Sequence, residues 1–303
     1  MSARNLSPSV VELDGPFTHQ LVHTRGIRLH AAVAGDPQDP LVVAVHGSYG
    51  GWFDYRDVIA PLAERGFHVA AIDARGFGMS DKPPADIGHD IRVMTGDLSG
   101  LIQALGHRRA LIIGNDTGAS VAWSLAVEHP ERVAGIVSIS GAYPVDLRRA
   151  MTARPWDFFW LWLRAGLCRL PYRALQRVPG LSEWVYRKEL LLNTTGRFRD
   201  ERFQRLLRLR IEAASIGNVV RGILWNHRLL TAAVPRRWVE ETISAPVLFF
   251  HSGQRLWNPI IRRARARTTG AFADHSLRHA KNLPHVEEPA DFVANVADWA
   301  RQL

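Results

Sequence analysis

The sequence predicts an α/β protein with a mostly parallel central sheet, helices on both faces and an inserted block of helices. Three observations predict this class. Short apolar runs alternate with helical patterns through the first half of the 303-residue chain, as in βαβ units. The strand pattern stops near residue 143 and returns near residue 246. Several predicted strands end in Gly-rich or polar loops, where open parallel sheets hold their sites.

The first half contains five predicted strand regions and two predicted helices. They are an antiparallel edge hairpin over Thr18–Ala34, the buried strands Leu41–His46, Phe67–Asp73, Ala110–Gly114 and Val133–Ser140, and the helices Asp90–Leu105 and Gly118–His129. The strands are continuous apolar runs, which indicates burial on both faces of a parallel sheet.

The second half begins with helices only, rich in Arg, Leu and Trp, and among them is a long Arg-rich helix predicted over Arg197–Ile211. Strands return at Pro246–His251 and weakly at His275–His279, and an amphipathic helix over Pro289–Leu303 closes the chain. Because the helical block has no sheet of its own, it is interpreted as a lid. The predicted division is therefore a core of residues 18–142 and 236–303 and a helical lid of residues 143–235.

Composition indicates an ordinary globular protein, with 47% hydrophobic and 22% charged residues. Cys168 is the one cysteine, so an intrachain disulfide is impossible and a reducing cytoplasm fits. The first 15 residues lack a signal-peptide pattern, and no apolar run reaches the roughly 18 residues of a membrane span. We therefore expect a cytoplasmic protein.

The net charge of +9 comes from 38 basic residues, of which all but three are arginine. This bias is as typical of GC-rich bacterial codon usage as of a binding surface. The arginines are scattered and no nucleic-acid motif accompanies them, so we expect no nucleic-acid partner.

One candidate for chemistry is Asp116, in the sequence Gly-Asn-Asp-Thr-Gly between an apolar strand and a helix. This is the strand–turn–helix context of a nucleophile elbow, with Asp where Ser is common. The small flanking residues suit a sharp turn, and the helix N-terminus favours an anion. The alternative is that Asp116 only caps the helix.

Two further loops follow predicted strands. Residues 46–52, His-Gly-Ser-Tyr-Gly-Gly-Trp, suit an oxyanion loop, although a Gly-rich loop can also be a plain turn. Residues 282–289 contain His285, which comes last in the chain order, as a hydrolase base does. We expect Trp52, in the first loop, and Tyr143, at the lid entrance, to line the pocket.

Together these features resemble the α/β-hydrolase superfamily, and within it the epoxide hydrolase and haloalkane dehalogenase branch. The resemblance covers Leu21 to Leu303. It rests on His46-Gly47, residues 73–83, the Asp116 elbow, residues 129–133 and His285 with Glu288-Pro289. It implies Asp116 as nucleophile, His285 as base, and no metal or cofactor.

The chemistry accounts for an aspartate at this position. An ionised carboxylate can displace a group at a saturated carbon and form an alkyl ester. His285 would then activate water against the ester, and the backbone N–H groups of Ser48 and Thr117 would hold the oxyanion.

The sequence departs from this family where a carboxylate should orient the histidine. Arg255 occupies the expected position, and the end of the strand before the lid reads Ser140-Gly141-Ala142. We therefore assign no third catalytic acid. Loss of that partner leaves the tautomer and charge of the base unsupported.

The leaving group also needs support. Epoxide hydrolases use two lid tyrosines as proton donors, and the candidates here are Tyr172, Tyr186 and, at the position of the second tyrosine, His227. Each can equally be an ordinary lid residue. Haloalkane dehalogenases place Trp directly after the nucleophile, so Thr117 weakens that alternative.

The segment Pro155–Gly166 concentrates three tryptophans, at positions 156, 160 and 162. It is interpreted as lining an apolar pocket or, alternatively, as a weak contact with a membrane surface. The preferred function is a hydrolase that opens a small apolar epoxide to a diol. The alternatives are a haloalkane dehalogenase and a small-molecule binder that has lost turnover, for which Arg255 is the supporting feature.

Overall fold

Eight strands form one central sheet in the order β1-β2-β4-β3-β5-β6-β7-β8 in the computed structural model, which describes residues 6–84, 90–170 and 180–303. The strands are β1 Thr18–Thr24, β2 Ile27–Ala34, β3 Leu41–Val45, β4 His68–Ile72, β5 Ala110–Asn115, β6 Val133–Ile139, β7 Val247–Phe250 and β8 Phe272–His275. Strand β2 pairs antiparallel with β1 and with β4, whereas all the other neighbours are parallel.

The described helices are α1 Arg56–Ala63, α2 Ile91–Ala104, α3 Thr117–Glu128, α4 Pro144–Ala153, α5 Phe159–Leu167, α6 Leu181–Asn193, α7 Glu201–Ala214, α8 Val219–His227, α9 Asn258–Arg267, α10 Pro284–Glu287 and α11 Pro289–Ala300. Helix α1 packs against α11, and α2 packs against α3. The α/β-hydrolase fold predicted from the sequence is confirmed. None of the described helices is long and apolar enough to cross a membrane.

The middle strands form the core. Every residue of β3, β4 and β5 is buried, as their continuous apolar sequences predict for parallel strands covered on both faces. Their carboxyl ends lie along one edge of the sheet. The loops that follow β3 and β5 therefore meet there and carry the Gly-rich segment and Asp116.

Two predicted boundaries differ from the structure. The last strand ends at His275 rather than running from 275 to 279, because its pairing with β7 ends where Phe250 meets His275. The Arg-rich lid helix predicted from residue 197 begins at Glu201. Its start is set by Asp200, whose carboxylate accepts hydrogen bonds from the N–H groups of Arg202 and Phe203.

Helices α4 to α8 fall between β6 and β7, in the segment predicted as the lid, and buried ion pairs attach two of them to the core. Arg267 of α9 contacts both carboxylate oxygens of Asp146 in α4, at 2.6 and 2.9 Å. Arg210 of α7 contacts Asp54 at 2.8 Å, just after the Gly-rich loop. A buried pair of this kind fixes relative position more than it adds stability.

Candidate active site

Asp116 lies on a strained turn between β5 and α3. Its φ of 50° and ψ of −113° are uncommon for a residue with a Cβ. A Cβ at Gly118 would lie 2.2 Å from the carbonyl oxygen of Val45, and one at Gly114 would lie 2.6 Å from Cα of Ala119. Only glycine permits this close packing of helix on strand.

The Asp116 side chain does not cap the helix that follows it. Its Oδ2 accepts a hydrogen bond from the N–H of Ser48 at 3.1 Å, and its Oδ1 lies 3.7 Å from a guanidinium nitrogen of Arg164. The second distance is longer than a hydrogen bond, so Oδ1 stays available to a ligand. The carboxylate is about one quarter exposed and faces a cavity of about 280 Å³.

The two residues predicted to form the oxyanion hole are neighbours. Ser48 follows Gly47, where a Cβ would lie 2.8 Å from Cβ of Asp116, so the loop passes close to the carboxylate. Thr117 is the first residue of α3 and is fully buried, and its hydroxyl lies 3.5 Å from that of Ser48. The Ser48 N–H already contacts the carboxylate. The shared role with Thr117 stays a prediction.

The lid places a charged pair over this carboxylate. Arg164 of α5 is buried and forms an ion pair at 2.5 Å with Glu189 of α6. Burial lowers the pKa of Arg164, but the carboxylates of Glu189 and Asp116 outweigh it and raise that pKa above its ordinary value. Arg164 is therefore a fixed cation that stabilises negative charge and does not donate a proton.

Several polar atoms around the cavity have no hydrogen-bond partner. They include Nε of Arg164, Nε1 of Trp160 and Oε2 of Glu189. Unpaired buried donors are rare, and here two of them belong to the cavity wall above Asp116. Sequence reasoning missed Arg164 and Glu189. The available signal was a single arginine within the apolar segment Phe158–Gly166.

His285 lies in the core and not on the wall of this cavity. It is 1% exposed, its ring stacks on Tyr55 with centroids 4.6 Å apart, and neither ring nitrogen has a partner. Burial, with a smaller contribution from the charge of Arg210, lowers the pKa of His285 to about 3. The structure therefore does not bring the predicted base to the predicted nucleophile.

The same loop presents Asn282 to the cavity instead. Its Nδ2 donates to Oδ1 of Asn193 at 2.9 Å, and its Oδ1 accepts from the hydroxyl of Ser140 at 3.2 Å. Its backbone oxygen accepts from Nδ2 of Asn115, the residue before Asp116. A carboxamide has no basic nitrogen, so it cannot take the proton of an attacking water.

The loop that carries Asn282 is held by Glu287. This buried carboxylate accepts hydrogen bonds from the N–H and hydroxyl of Thr195, at 2.6 and 2.7 Å, and from the N–H of Lys281 at 2.6 Å. Burial raises its pKa. Because its oxygens are already engaged by the lid and the loop, Glu287 acts as a structural tie.

No imidazole was found among the described residues that line this cavity. At the position where a catalytic acid was sought, Arg255 is exposed, and its neighbour Gln254 lines the cavity. The described part of the chain also shows no cluster of His, Cys, Asp and Glu side chains that could hold a metal ion.

Neither Tyr186 nor His227, both proposed as proton donors, lines the cavity that contains Asp116. Tyr186 is buried, contacts the ring of Tyr49 edge-on at 5.3 Å, and has its pKa raised by burial. His227 places Nδ1 3.3 Å from the hydroxyl of Ser48, and burial followed by the charge of Arg164 lowers its pKa well below the ordinary value. Tyr172 lies outside the described residues.

Trp52 and Tyr143, expected on the pocket wall, lie in the core instead. The indole N–H of Trp52 donates to the carbonyl oxygen of Val11, and the ring is fully buried. The hydroxyl of Tyr143 donates to the carbonyl oxygen of Trp238, and Arg267 covers its ring at 4.3 Å. Each side chain lies in the core, where its N–H or O–H group donates to a backbone carbonyl oxygen.

The family profile of the α/β hydrolase fold matches residues 40–253. Among curated proteins, epoxide hydrolase B of Mycobacterium tuberculosis is 41% identical over 124 residues, which are 40% of this chain and 35% of that protein. Epoxide hydrolase A of the same organism is 40% identical over 126 residues, 42% of this chain and 39% of that protein. The matched segment thus spans under half the length of these relatives.

Among solved structures, epoxide hydrolase A of Mycobacterium thermoresistibile superimposes with a TM-score of 0.79 at 26% identity, covering 94% of this chain and 98% of that one. The family match covers the strands that carry the Gly-rich loop, Asp116 and the lid. The chain therefore belongs to the α/β hydrolase fold family.

Proposed function

We propose that this hydrolase uses Asp116 to open a small apolar epoxide, and that the resulting alkyl ester is hydrolysed slowly. The observation that carries the proposal is the position of the Asp116 carboxylate. One of its oxygens is held by the N–H of Ser48, while the other is directed to the cavity without a hydrogen-bond donor. The similarity to proteins named epoxide hydrolases supports the same chemistry.

In the first step Oδ1 of Asp116 attacks an epoxide carbon, and the bond from that carbon to the ring oxygen breaks. The product is an ester that carries an alkoxide, which takes a proton from water and becomes a hydroxyl. Trp160 and Arg164 line the cavity, and the Arg164 guanidinium, 3.7 Å from the Asp116 carboxylate, is suited to stabilise the alkoxide as it forms.

In the second step water attacks the ester carbonyl, and the Ser48 N–H lies beside the oxygen on which negative charge develops. This step needs a base, which ordinarily accelerates proton transfer about 10²- to 10⁴-fold. Asn282 occupies the cavity wall, and His285 is enclosed in the core. Slow ester hydrolysis follows, and the protein then spends most of its time as the ester.

Dehalogenation is a second candidate because of one observation. The Arg164 guanidinium, on the same cavity wall as Trp160, would also stabilise a leaving halide. In that case the same carboxylate displaces halide from a saturated carbon, and the ester carries no new hydroxyl.

The test is an intact-mass measurement on the wild-type protein after exposure to panels of small epoxides and haloalkanes. We expect a persistent adduct equal to the whole epoxide, located on the peptide that contains Asp116. The matched control is Asp116→Asn, since Asn tolerates a positive φ but has no carboxylate; it should stay unmodified.

Each other outcome has a defined meaning. An adduct that lacks hydrogen halide would replace the epoxide assignment with dehalogenation. Rapid diol release without a detectable ester would contradict the slow second step. Ligand-induced stabilisation without any adduct would refute the proposal and identify a binding protein.

A further inference from the structure

The lid exposes most of the large apolar side chains found at the surface of the described residues. Ten such side chains are more than about one third exposed, and eight of them belong to α5, α6 and the adjoining turns. These eight form what we call the lid face: Trp156, Phe159, Trp162, Leu163, Leu170, Trp184, Leu191 and Leu192. The other two are Leu21 and Leu303.

The lid face is one surface and not a set of isolated residues. Phe159, Trp162 and Leu163 recur at the three- and four-residue spacing of one side of α5. On α6, Trp184 and Leu191 are separated by seven residues, which is two helical turns. The rings of Trp160 and Trp184 contact each other at 6.0 Å and join the helices. Contiguous exposed apolar surface of this kind marks an interaction site.

The charge of the protein is concentrated in the same segment. Residues 143–235 contain 17 Lys and Arg against 7 Asp and Glu, a net charge of +10, while the whole chain carries +9. The remaining residues therefore sum to −1. Arg154, Arg169, Arg187 and Lys188 are exposed beside the lid face. Arg154 and Arg187 pair with the exposed Asp157 and Glu183 at 3.8 and 3.9 Å, so the border keeps a net positive charge. A surface with aromatic residues in its centre and cations at its border matches the headgroup region of anionic lipids.

A second cavity lies beneath the lid face. Its volume is about 140 Å³, and Leu167, Leu181 and Trp184 contribute to its wall. It shares Tyr49, Trp160 and Arg164 with the cavity that contains Asp116. The described structure thus places an apolar chamber between the exposed apolar surface and the candidate nucleophile.

We propose that the lid face docks on an anionic lipid surface, and that the apolar chamber takes up substrates dissolved in that lipid. Docking needs only the surface and its charge, so it is independent of the chemistry at Asp116. The proposal implies that the substrates are apolar molecules that partition into membranes.

The test is flotation of the full chain with vesicles of phosphatidylcholine alone and of phosphatidylcholine mixed with phosphatidylglycerol. We expect binding to the mixed vesicles that weakens as salt is raised, because the cationic border interacts by screened electrostatics. The variant Trp156→Glu/Phe159→Glu should reduce the bound-to-free ratio by at least about tenfold. Both positions are well exposed, at 86% and 64%, so folding is not at risk.

The matched control is Leu21→Glu, since Leu21 is 50% exposed but lies on β1, outside the lid. It should bind vesicles as the wild type does. Equal binding by the lid variant and wild type, or no preference for anionic vesicles, would overturn the proposal. Concentration-dependent dimerisation that the lid variant abolishes, without vesicle binding, would assign the face to self-association instead. None of these measurements requires turnover. The failure of the docking proposal can therefore be distinguished from the failure of the chemistry proposed for Asp116.

Discussion

The substitution Asn282→His should supply an imidazole base, a group that the described lining of the cavity does not contain. Asn282 lies on the cavity wall between the Ser140 hydroxyl, at 3.2 Å, and the Asn193 amide, at 2.9 Å. An imidazole at this position retains a hydrogen-bonding neighbour on each side, and the loop remains tied to the lid through Glu287. The Ser140 hydroxyl oxygen can accept a hydrogen bond from one ring N–H, which leaves the other ring nitrogen basic.

The expected increase in the rate of ester hydrolysis depends on the groups that surround the new imidazole. A positioned base contributes about 10²- to 10⁴-fold, and an acid that orients it accounts for a large part of the upper range. The described cavity offers Gln254 rather than a carboxylate at the loop after β7. We therefore expect the lifetime of the Asp116 ester to shorten by about ten- to a hundredfold.

The assay is a time course of ester decay by intact mass after excess substrate is removed. Asn282→Gln is the matched control, because it changes the length of the side chain without adding a base. The rate with His at position 282 should rise with pH through the ordinary histidine pKa of about 6.5, since only the neutral ring accepts a proton. Equal ester lifetimes in the His and Gln variants would refute the assignment of Asn282 to the base position.

Two further predictions concern the core and the elbow. His285→Phe should leave ester formation unchanged. It should also reduce the loss in the free energy of unfolding that the wild type shows as pH falls. The folded pKa of about 3 lies below the unfolded value of about 6.5, so the unfolded wild type takes up the proton first. Stability is then lost as pH falls, by roughly 3 kcal/mol between pH 7 and 4. Urea unfolding at pH 7 and pH 4 measures this loss. If the variant loses as much free energy of unfolding as the wild type between these pH values, the burial argument is contradicted. Gly118→Ala should destabilise by about 3 kcal/mol, because its Cβ meets the Val45 oxygen at 2.2 Å. In contrast, a Cβ at Gly166 in α5 would have no atom within 4 Å. Gly166→Ala should therefore raise the free energy of unfolding by about 0.5 to 1 kcal/mol. Thermal denaturation of the two alanine variants checks the pair, and similar melting temperatures would show that the elbow is not tightly packed.

Local patterns were sufficient to predict the sheet and the elbow. Buried parallel strands require continuous apolar runs, so β3 to β6 could be located from composition within one or two residues. The elbow could be located because its close helix–strand contact tolerates only small residues at positions 114 and 118. The block of helices between β6 and β7 could be located because the strand pattern is interrupted between residues 143 and 235. These features depend on neighbours in sequence, which a single chain displays directly.

The composition of the site depended on contacts that sequence spacing does not encode. Asn282 precedes the short helix that contains His285: contacts with Ser140 and Asn193 hold Asn282 at the cavity, whereas stacking on Tyr55 holds His285 in the core. The Arg164–Glu189 pair joins two lid helices above Asp116, more than forty residues away in sequence. The sequence thus determined the fold and the position of Asp116 on the turn between β5 and α3. Tertiary packing determined which charged and polar side chains share the cavity with it, because long-range packing selects which side of each element is buried.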